Sequence, residues 1–355
     1  MKILVTGGAG YIGSFMVKRL IDDGHEVIVF DSLERGHREA VDERAKFVQG
    51  DLKDLGTLKD LFCEESIDAV MHFAGYISVE ESTKYPKRYY WNNTIGSENL
   101  LIAMREMGDT DKFIFSSSAA VYGNPIKVPI PENHPKNPTS PYGKSKLEVE
   151  EVLESFQKEG GLNFVSLRYF NAAGAALDGS MGESHDPETH IIPLAIRSVL
   201  ANARISQLAL SLDPKDVRKS KTSAKSEFNL YGADYNTPDG TCIRDYIHVI
   251  DLVEAHVLAL NKLEKDKGGF FYNVGTGKGY SNKEVTEMVK KVSGKDLKIK
   301  VMGRRPGDPE VLIADPTKIQ KELGFKPRYS DLETIVKTAF NWHTKNSEFR
   351  IQNSE

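Results

Sequence analysis

Tyr142 and Lys146 stand four residues apart in Ser140-Pro141-Tyr142-Gly143-Lys144-Ser145-Lys146. On a helix that spacing sets both side chains on one face, with Ser140 suited to the N-cap and Pro141 to the first turn. A phenol has an unperturbed pKa near 10, so holding it ionised at neutral pH requires roughly 4 kcal/mol. An ammonium about 4 Å away is worth that order at an effective dielectric near 20, and a cationic nicotinamide ring would add to it. The pair makes a general base able to take the proton of an alcohol while hydride leaves its carbon. Alone, the same spacing also fits a solvated pair on a surface helix. Upstream, Phe113-Ile114-Phe115-Ser116-Ser117-Ser118-Ala119-Ala120-Val121-Tyr122-Gly123 ends an apolar run in serines, where a hydroxyl can bond the same substrate oxygen.

A second constellation lies at the N-terminus. Thr6-Gly7-Gly8-Ala9-Gly10-Tyr11-Ile12-Gly13 falls between the first strand pattern and the first helix pattern. Glycines there let the backbone turn tightly and approach a pyrophosphate at a helix N-terminus, although a tight strand-helix connection needs them too. Asp31 closes the second strand pattern 18 residues after Gly13. Its carboxylate can accept both ribose hydroxyls of an adenosine and would repel a 2′-phosphate, favouring NAD over NADP.

The elements that must position these groups alternate as strand and helix, the order that builds a parallel sheet through right-handed crossovers. Strands are expected at Lys2 to Val5, Glu26 to Phe30, Lys46 to Val48, Ala69 to Phe73, Lys112 to Ser116 and Phe164 to Leu167; several are apolar on both faces and therefore covered on both. Ile12, Phe15, Met16 and Leu20 fall at helical spacing, with Gly24 at the expected C-terminal stop. The fold class is α/β, a Rossmann-type doubly wound parallel sheet with a smaller C-terminal substrate-binding lobe. Residues 1–171 form the expected NAD-binding domain and 172–345 mainly the second lobe, with segments near 245–275 rejoining the first. Residues 211–227 hold five Lys or Arg and few apolar residues, a polar exposed insertion.

Composition narrows the function further. The 355 residues are 39% hydrophobic and 28% charged, ordinary for a soluble folded chain. Lys and Arg total 47 against 51 Asp and Glu, a formal net charge of -4, which gives no basic field for nucleic acid. Cys63 and Cys242 are too few for a disulfide scaffold and lack zinc-site spacing, so no metal is expected and a reducing, cytoplasmic setting fits. The run Ile3-Leu4-Val5 breaks at once into the glycine turn, unlike a secretory leader, and no stretch approaches the roughly 20 apolar residues that cross a bilayer.

The glycine spacing GxxGxxG resembles that of the short-chain dehydrogenase/reductase superfamily. Together with Arg168-Tyr169-Phe170-Asn171 and Arg244-Asp245-Tyr246-Ile247-His248-Val249, the motifs resemble its extended members that epimerise nucleotide sugars, from Met1 to about residue 345. The resemblance implies Ser118 as catalytic serine, Tyr142 as base and Lys146 as its electrostatic partner. It implies NAD held by Gly7, Gly10, Tyr11, Ile12, Gly13 and Asp31, by Asp51 and Leu52 at the adenine, and by Phe73, Ala74 and Gly75 in a turn. Asn92, Tyr142, Lys146, Tyr169 and Phe170 would line the nicotinamide side. Asp51 equally suits a helix N-cap. The UDP-sugar would meet Ser118, Asn171, Ile191, Tyr231, Arg244, Arg305 and Asp308, with Tyr231 flanking the uracil. Guanidinium groups match diphosphate oxygens, though either arginine could instead pair with Asp245 or Asp308. Leu312, fourth after the aspartate of Arg304-Arg305-Pro306-Gly307-Asp308, would abut the sugar's C2 substituent. Two positions depart from the enterobacterial members: Ile77 replaces a lysine and His190 an asparagine.

Related 4,6-dehydratases carry Asp-Glu after the serine or threonine, and UDP-glucuronate decarboxylases a Glu at the second place; Ala119 and Ala120 can transfer no proton. The implied activity is NAD-dependent inversion at C4, interconverting UDP-glucose and UDP-galactose through a transient 4-keto sugar and enzyme-bound NADH, in a homodimer formed through a four-helix bundle. Alternatives are epimerisation of UDP-N-acetylglucosamine, a UDP-pentose or UDP-glucuronate, a net nucleotide-sugar oxidoreductase, and a non-catalytic NAD sensor, which Tyr142 and Lys146 count against.

Overall fold

Seven parallel strands form the central sheet of the computed structural model, which describes residues 1–211, 227–305 and 307–352, without the side chains of 204–211 and 347–352. Six come first in the chain: β1 (Lys2–Thr6), β2 (Glu26–Asp31), β3 (Lys46–Gln49), β4 (Ala69–His72), β5 (Lys112–Ser118) and β6 (Asn163–Tyr169). The seventh, β10 (Gly269–Val274), pairs with β6. The spatial order is β10-β6-β5-β4-β1-β2-β3. It reverses direction between β1 and β4, where open α/β sheets leave a crevice beyond the strand carboxyl ends.

Strand periodicity distributes the core to both faces. Ile3, Val5, Val27 and Val29 pack with the Tyr11–Asp22 and Val249–Lys265 helices through Met16, Leu20, Leu252 and Ala259. Leu4, Ile28 and Phe30 face the Leu55–Glu64, Gly96–Met107 and Pro141–Gly160 helices through Leu58, Leu100, Met104 and Leu153. Strand bounds shift by one or two residues from expectation, β4 shorter and the other five longer. β5 runs on to Ser118 because Ser116, Ser117 and Ser118 pair with Leu167, Arg168 and Tyr169 of β6. β4 stops at His72 because Phe73 and Ala74 both turn their N–H groups onto the Thr6 carbonyl.

Beyond β6 the elements are short. β7 (Asn171–Ala173) and β13 (Val311–Leu312) pair in parallel with β9 (Ile243–His248), and β11 (Gly279–Ser281) pairs with it antiparallel. β8 (Phe228–Tyr231) pairs with β12 (Ile299–Met302). Ile192, Ile196 and Val199 of the Ile191–Ser211 helix meet Val285 and Val289, then Ile335 and Val336, in a second core. Residues 212–226 of the expected insertion lie outside the described residues. No helix among the described residues is long and apolar enough to cross a membrane.

Candidate active site

The glycine turn closes between β1 and the first helix. Gly7 has φ +73°, and a Cβ on it would lie 2.5 Å from Ala74 N; a Cβ on Gly13 would run into the Gly7 carbonyl. Side chains are thus excluded from a backbone cradle at the helix start, where the N-cap Gly10 has no side chain to satisfy the first N–H groups. Asp31 faces it, buried, with Oδ2 accepting from Ala9 N at 3.0 Å and Oδ1 from Leu33 N at 2.8 Å. Each oxygen keeps a lone pair for a ribose hydroxyl. The cradle and carboxylate fit a dinucleotide.

Gly50 N donates to the Asp31 carbonyl, which sets Asp51 beside the end of β2. The cap of the next helix is Asp54, which accepts from Thr57 N, so the N-cap alternative for Asp51 is not realised. Asp51 instead accepts from Lys53 N at 2.9 Å and pairs with its Nζ at 3.0 Å. Leu52 is buried, Phe73 stacks on His256 at 4.7 Å, and the Tyr11 hydroxyl donates to the Gly174 carbonyl at 2.6 Å. Ile12 packs against the core on the same helix.

Ser118 ends β5, and the Pro141–Gly160 helix begins beside it, capped by Ser140 Oγ on Gly143 N at 3.1 Å. That places the Tyr142 phenol by the Ser118 hydroxyl. Burial pushes the phenol's pKa up, and hydrogen bonding to Ser118 opposes it. The Lys146 ammonium, held down to about 8 by burial against Glu150, donates to the Ser116 carbonyl at 2.9 Å. It sits over the Phe115 ring at 4.8 Å. Tyr169 is half-buried, its phenol pushed up by desolvation and relieved by Ser116, while Phe170 joins Leu147 and Leu312 against Val121.

Two positioning residues, Asn93 and Glu150, lie outside the linear motifs, and a third, His72, opens the His72-Phe73-Ala74-Gly75 turn. Asn93, buried in a π-helical turn (Tyr90–Ile95), accepts from Tyr76 N at 2.8 Å and donates to the Tyr76 carbonyl at 3.0 Å and Ser145 Oγ at 3.1 Å. It thereby ties the 73–76 turn to the helix carrying Tyr142, and Asn92 bonds to it at 3.1 Å. His72, lowered to about 3 by burial and then by Lys146, links Thr6 Oγ1 at 2.6 Å to Ser97 Oγ at 2.7 Å. Glu150, fully buried, accepts from Ser117, Ser166 and Arg168. Its signal was present: it lies one further i,i+4 step beyond Lys146.

The expected substrate residues gather on the small sheets. Arg244, nearly buried on β9, pairs with Asp308, the ion-pair alternative, and donates to the Ile243 carbonyl at 2.8 Å. Asp245 is not its partner: it accepts from Thr276 N, Gly277 N and Ala314 N. The Arg305 guanidinium lies 4.0 Å over the Tyr231 ring, the face expected for uracil. Arg305 and Asp308 line an open cleft of about 680 Å³ with Asn124 and Tyr235. Asn171 pairs with Tyr246, Ile191 opens its helix, and Leu312 pairs with Arg244 while packing, like Phe170, on the cluster of Ala119, Val121, Tyr122 and Ile130. That packing joins the second set to the catalytic strand end. Ile77 is exposed, and His190 bonds to Glu183.

Comparison with known proteins adds to this geometry. The profile of the NAD dependent epimerase/dehydratase family matches residues 3–275, and that of GDP-mannose 4,6 dehydratase residues 214–338. The chain is 45% identical over 343 residues to the UDP-glucose 4-epimerase of Lactobacillus helveticus, covering 97% of each. Its structure is similar to that of UDP-glucose 4-epimerase from Brucella ovis in complex with NAD, with a TM-score of 0.85 at 43% identity, covering 96% of this chain and 97% of that one. The Bifidobacterium longum UDP-glucose 4-epimerase in complex with NAD+ and UDP superposes with a TM-score of 0.87 at 36% identity, over 98% and 99% of the two chains.

Proposed function

The chain belongs to the NAD dependent epimerase/dehydratase family, and we propose that it is a UDP-glucose 4-epimerase, interconverting UDP-glucose and UDP-galactose by inversion at C4. The observation that carries this reading is that Ser118 ends β5 beside the start of the helix that carries Tyr142 and Lys146, with alanines next in the chain. Elimination would need acids where Ala119 and Ala120 stand, which separates the activity from the dehydratase profile matched later in the chain.

The cofactor would be held by the glycine cradle, by Asp31 and Asp51 at the adenosine, and by Tyr142, Lys146, Asn92, Tyr169 and Phe170 near the nicotinamide. When bound, NAD would supply the hydride chemistry at C4 with no net change of its redox state over a turnover. Tyr142 takes the proton of the 4-hydroxyl, and Ser118 holds the same oxygen. Lys146 keeps positive charge on that side of the site. Asn93 fixes the turn that closes over the reacting atoms. Arg244 and Arg305 meet the diphosphate once Asp308 and Tyr231 yield or share them. The sugar is free to turn over in the cleft between exchanges.

In this reading residues 1–171, with β10, hold the cofactor and 172–345 mainly the nucleotide sugar. A cytoplasmic homodimer in galactose metabolism is part of the same proposal, supported by the exposed Tyr90 and Trp91 flanking the Gly96–Met107 helix. Incubating purified protein with UDP-galactose and no added cofactor should yield UDP-glucose by NMR. Conversion only with added NAD, matched by accumulating reduced nicotinamide, would identify a net oxidoreductase instead.

A further inference from the structure

Between β7 and the Ile191–Ser211 helix, Glu183, His185, Glu188 and His190 form a cluster that the C4 chemistry does not use. Each offers one nitrogen or oxygen, and the four atoms lie within 4.8 Å of one another. Among the described residues no other group of three or more His, Cys, Asp or Glu side chains converges in this way. His185 Nδ1 stands 2.9 Å from Glu183 Oε1 and 3.7 Å from Glu188 Oε1, and His190 Nδ1 lies directly on Glu183 Oε1.

The two carboxylates are enclosed, with side chains 5% and 1% exposed. His185 Nδ1 faces Glu183 Oε1 and Glu188 Oε1 but completes no well-aligned hydrogen bond with either, and Glu188 Oε2 meets the Arg197 guanidinium at 3.3 Å. Glu188 Oε1 accepts from Thr189 N at 2.9 Å and His190 N at 3.0 Å, which fixes the direction of its carboxylate. Two imidazole nitrogens and two carboxylate oxygens are the ligand types of zinc and its neighbours. Ligands about 2.1 Å from a tetrahedral ion stand roughly 3.4 Å apart, a spacing within the spread of this cluster.

We propose that Glu183, His185, Glu188 and His190 bind one divalent transition-metal ion, with zinc the best match to the donor set. The ion is a brace rather than a catalyst. His185 lies edge-to-face with Tyr11 at 6.2 Å, whose hydroxyl holds Gly174. The Ser184 carbonyl meets His37 Nε2 at 2.7 Å, and the Glu183 carbonyl accepts from Trp342 Nε1 at 3.2 Å. One ion would therefore fasten the glycine-turn helix, the loop after β2 and the C-terminal helix to the segment that opens the substrate lobe.

Protein stripped with a chelator, dialysed and titrated with zinc chloride should take up one equivalent by calorimetry and elemental analysis, and melt at a higher temperature. Cobalt in place of zinc should give visible d–d bands without thiolate charge transfer. The double substitution His185→Gln, His190→Gln should weaken binding beyond the 10- to 100-fold that disturbing an outer-shell partner costs; His190→Asn alone serves if the double variant does not fold. Cys63→Ser should leave the stoichiometry unchanged. No saturable zinc uptake by the stripped native protein, or uptake equal in the His190→Asn variant, would overturn the proposal and leave an ion-pair network with Arg197.

Discussion

At the scale of single residues, the proposed reaction gives the proton of the 4-hydroxyl to Tyr142. Tyr142→Phe keeps the ring packing and loses the acceptor, so kcat should fall on the order of 10²-fold or more while UDP affinity, read by calorimetry, is retained. An equal collapse of affinity would contradict the assignment. Lys146 gives a second test, through stability. Its pKa is held to about 8 in the folded protein against 10.5 for the free group, so folding with the ammonium charged costs on the order of 3 kcal/mol. Lys146→Met removes that cost, less about 1 to 2 kcal/mol for the hydrogen bond lost at the Ser116 carbonyl. Nucleotide-free Lys146→Met protein should therefore melt higher than the parent at pH 7, although turnover falls. Because the depressed pKa makes the unfolded chain bind the extra proton between pH 8 and 10.5, the parent gains stability across that window and the difference should close. A parent that lost stability from pH 8 to 10.5 relative to the variant would reverse the sign. Leu312 tests sugar choice: its packing on the cluster of Ala119, Val121, Tyr122 and Ile130 sets it at the catalytic strand end. The kcat/KM ratio of UDP-glucose to UDP-N-acetylglucosamine should rise in Leu312→Tyr and fall in Leu312→Ser, by the 10- to 200-fold that about 1 to 3 kcal/mol allows. A constant ratio would remove Leu312 from the pocket wall.

At the scale of elements, the turn between β1 and its helix depends on the absence of side chains. A methyl group on Gly13 meets the Gly7 carbonyl, so Gly13→Ala should purify with little NAD and lose about 1 to 3 kcal/mol from overpacking. Gly24→Ala, where a Cβ meets open space at φ +87°, should lose about 1 to 2 kcal/mol of backbone strain yet keep its nucleotide. Equal NAD content in both would contradict the cradle. These elements were readable because each is specified locally: β-branched runs, a glycine turn, a Ser-Pro helix start. Asn93 was not, since its partners at Tyr76 and Ser145 are distant in sequence and meet only through tertiary packing. Nor were the ends of β4 and β5, where pairing with neighbours and not composition decides the last residue. The short strands β7, β8 and β11 to β13 left little pattern in two to four residues each. Glu183, His185, Glu188 and His190 follow no cysteine-based ligand spacing, so the sequence pattern does not mark them as a group.

At the scale of the whole molecule, the proposed function sets the redox cradle in one lobe and the sugar in the other, joined where Leu312 and Ile313 meet the segment after β5. An internally recycled cofactor gains nothing from exchange, so protein purified without nucleotide should release close to one NAD per chain on denaturation. Substoichiometric release with activity dependent on added NAD would count against tight retention. The central claim, hydride leaving and returning to the same carbon inside one closed site, makes a demand on atoms. UDP-galactose incubated with the protein in D2O, without added cofactor and followed by proton NMR, should become UDP-glucose with protium kept at C4. Deuterium appearing at C4 of the product would show that the hydrogen passed through solvent, and would contradict the account.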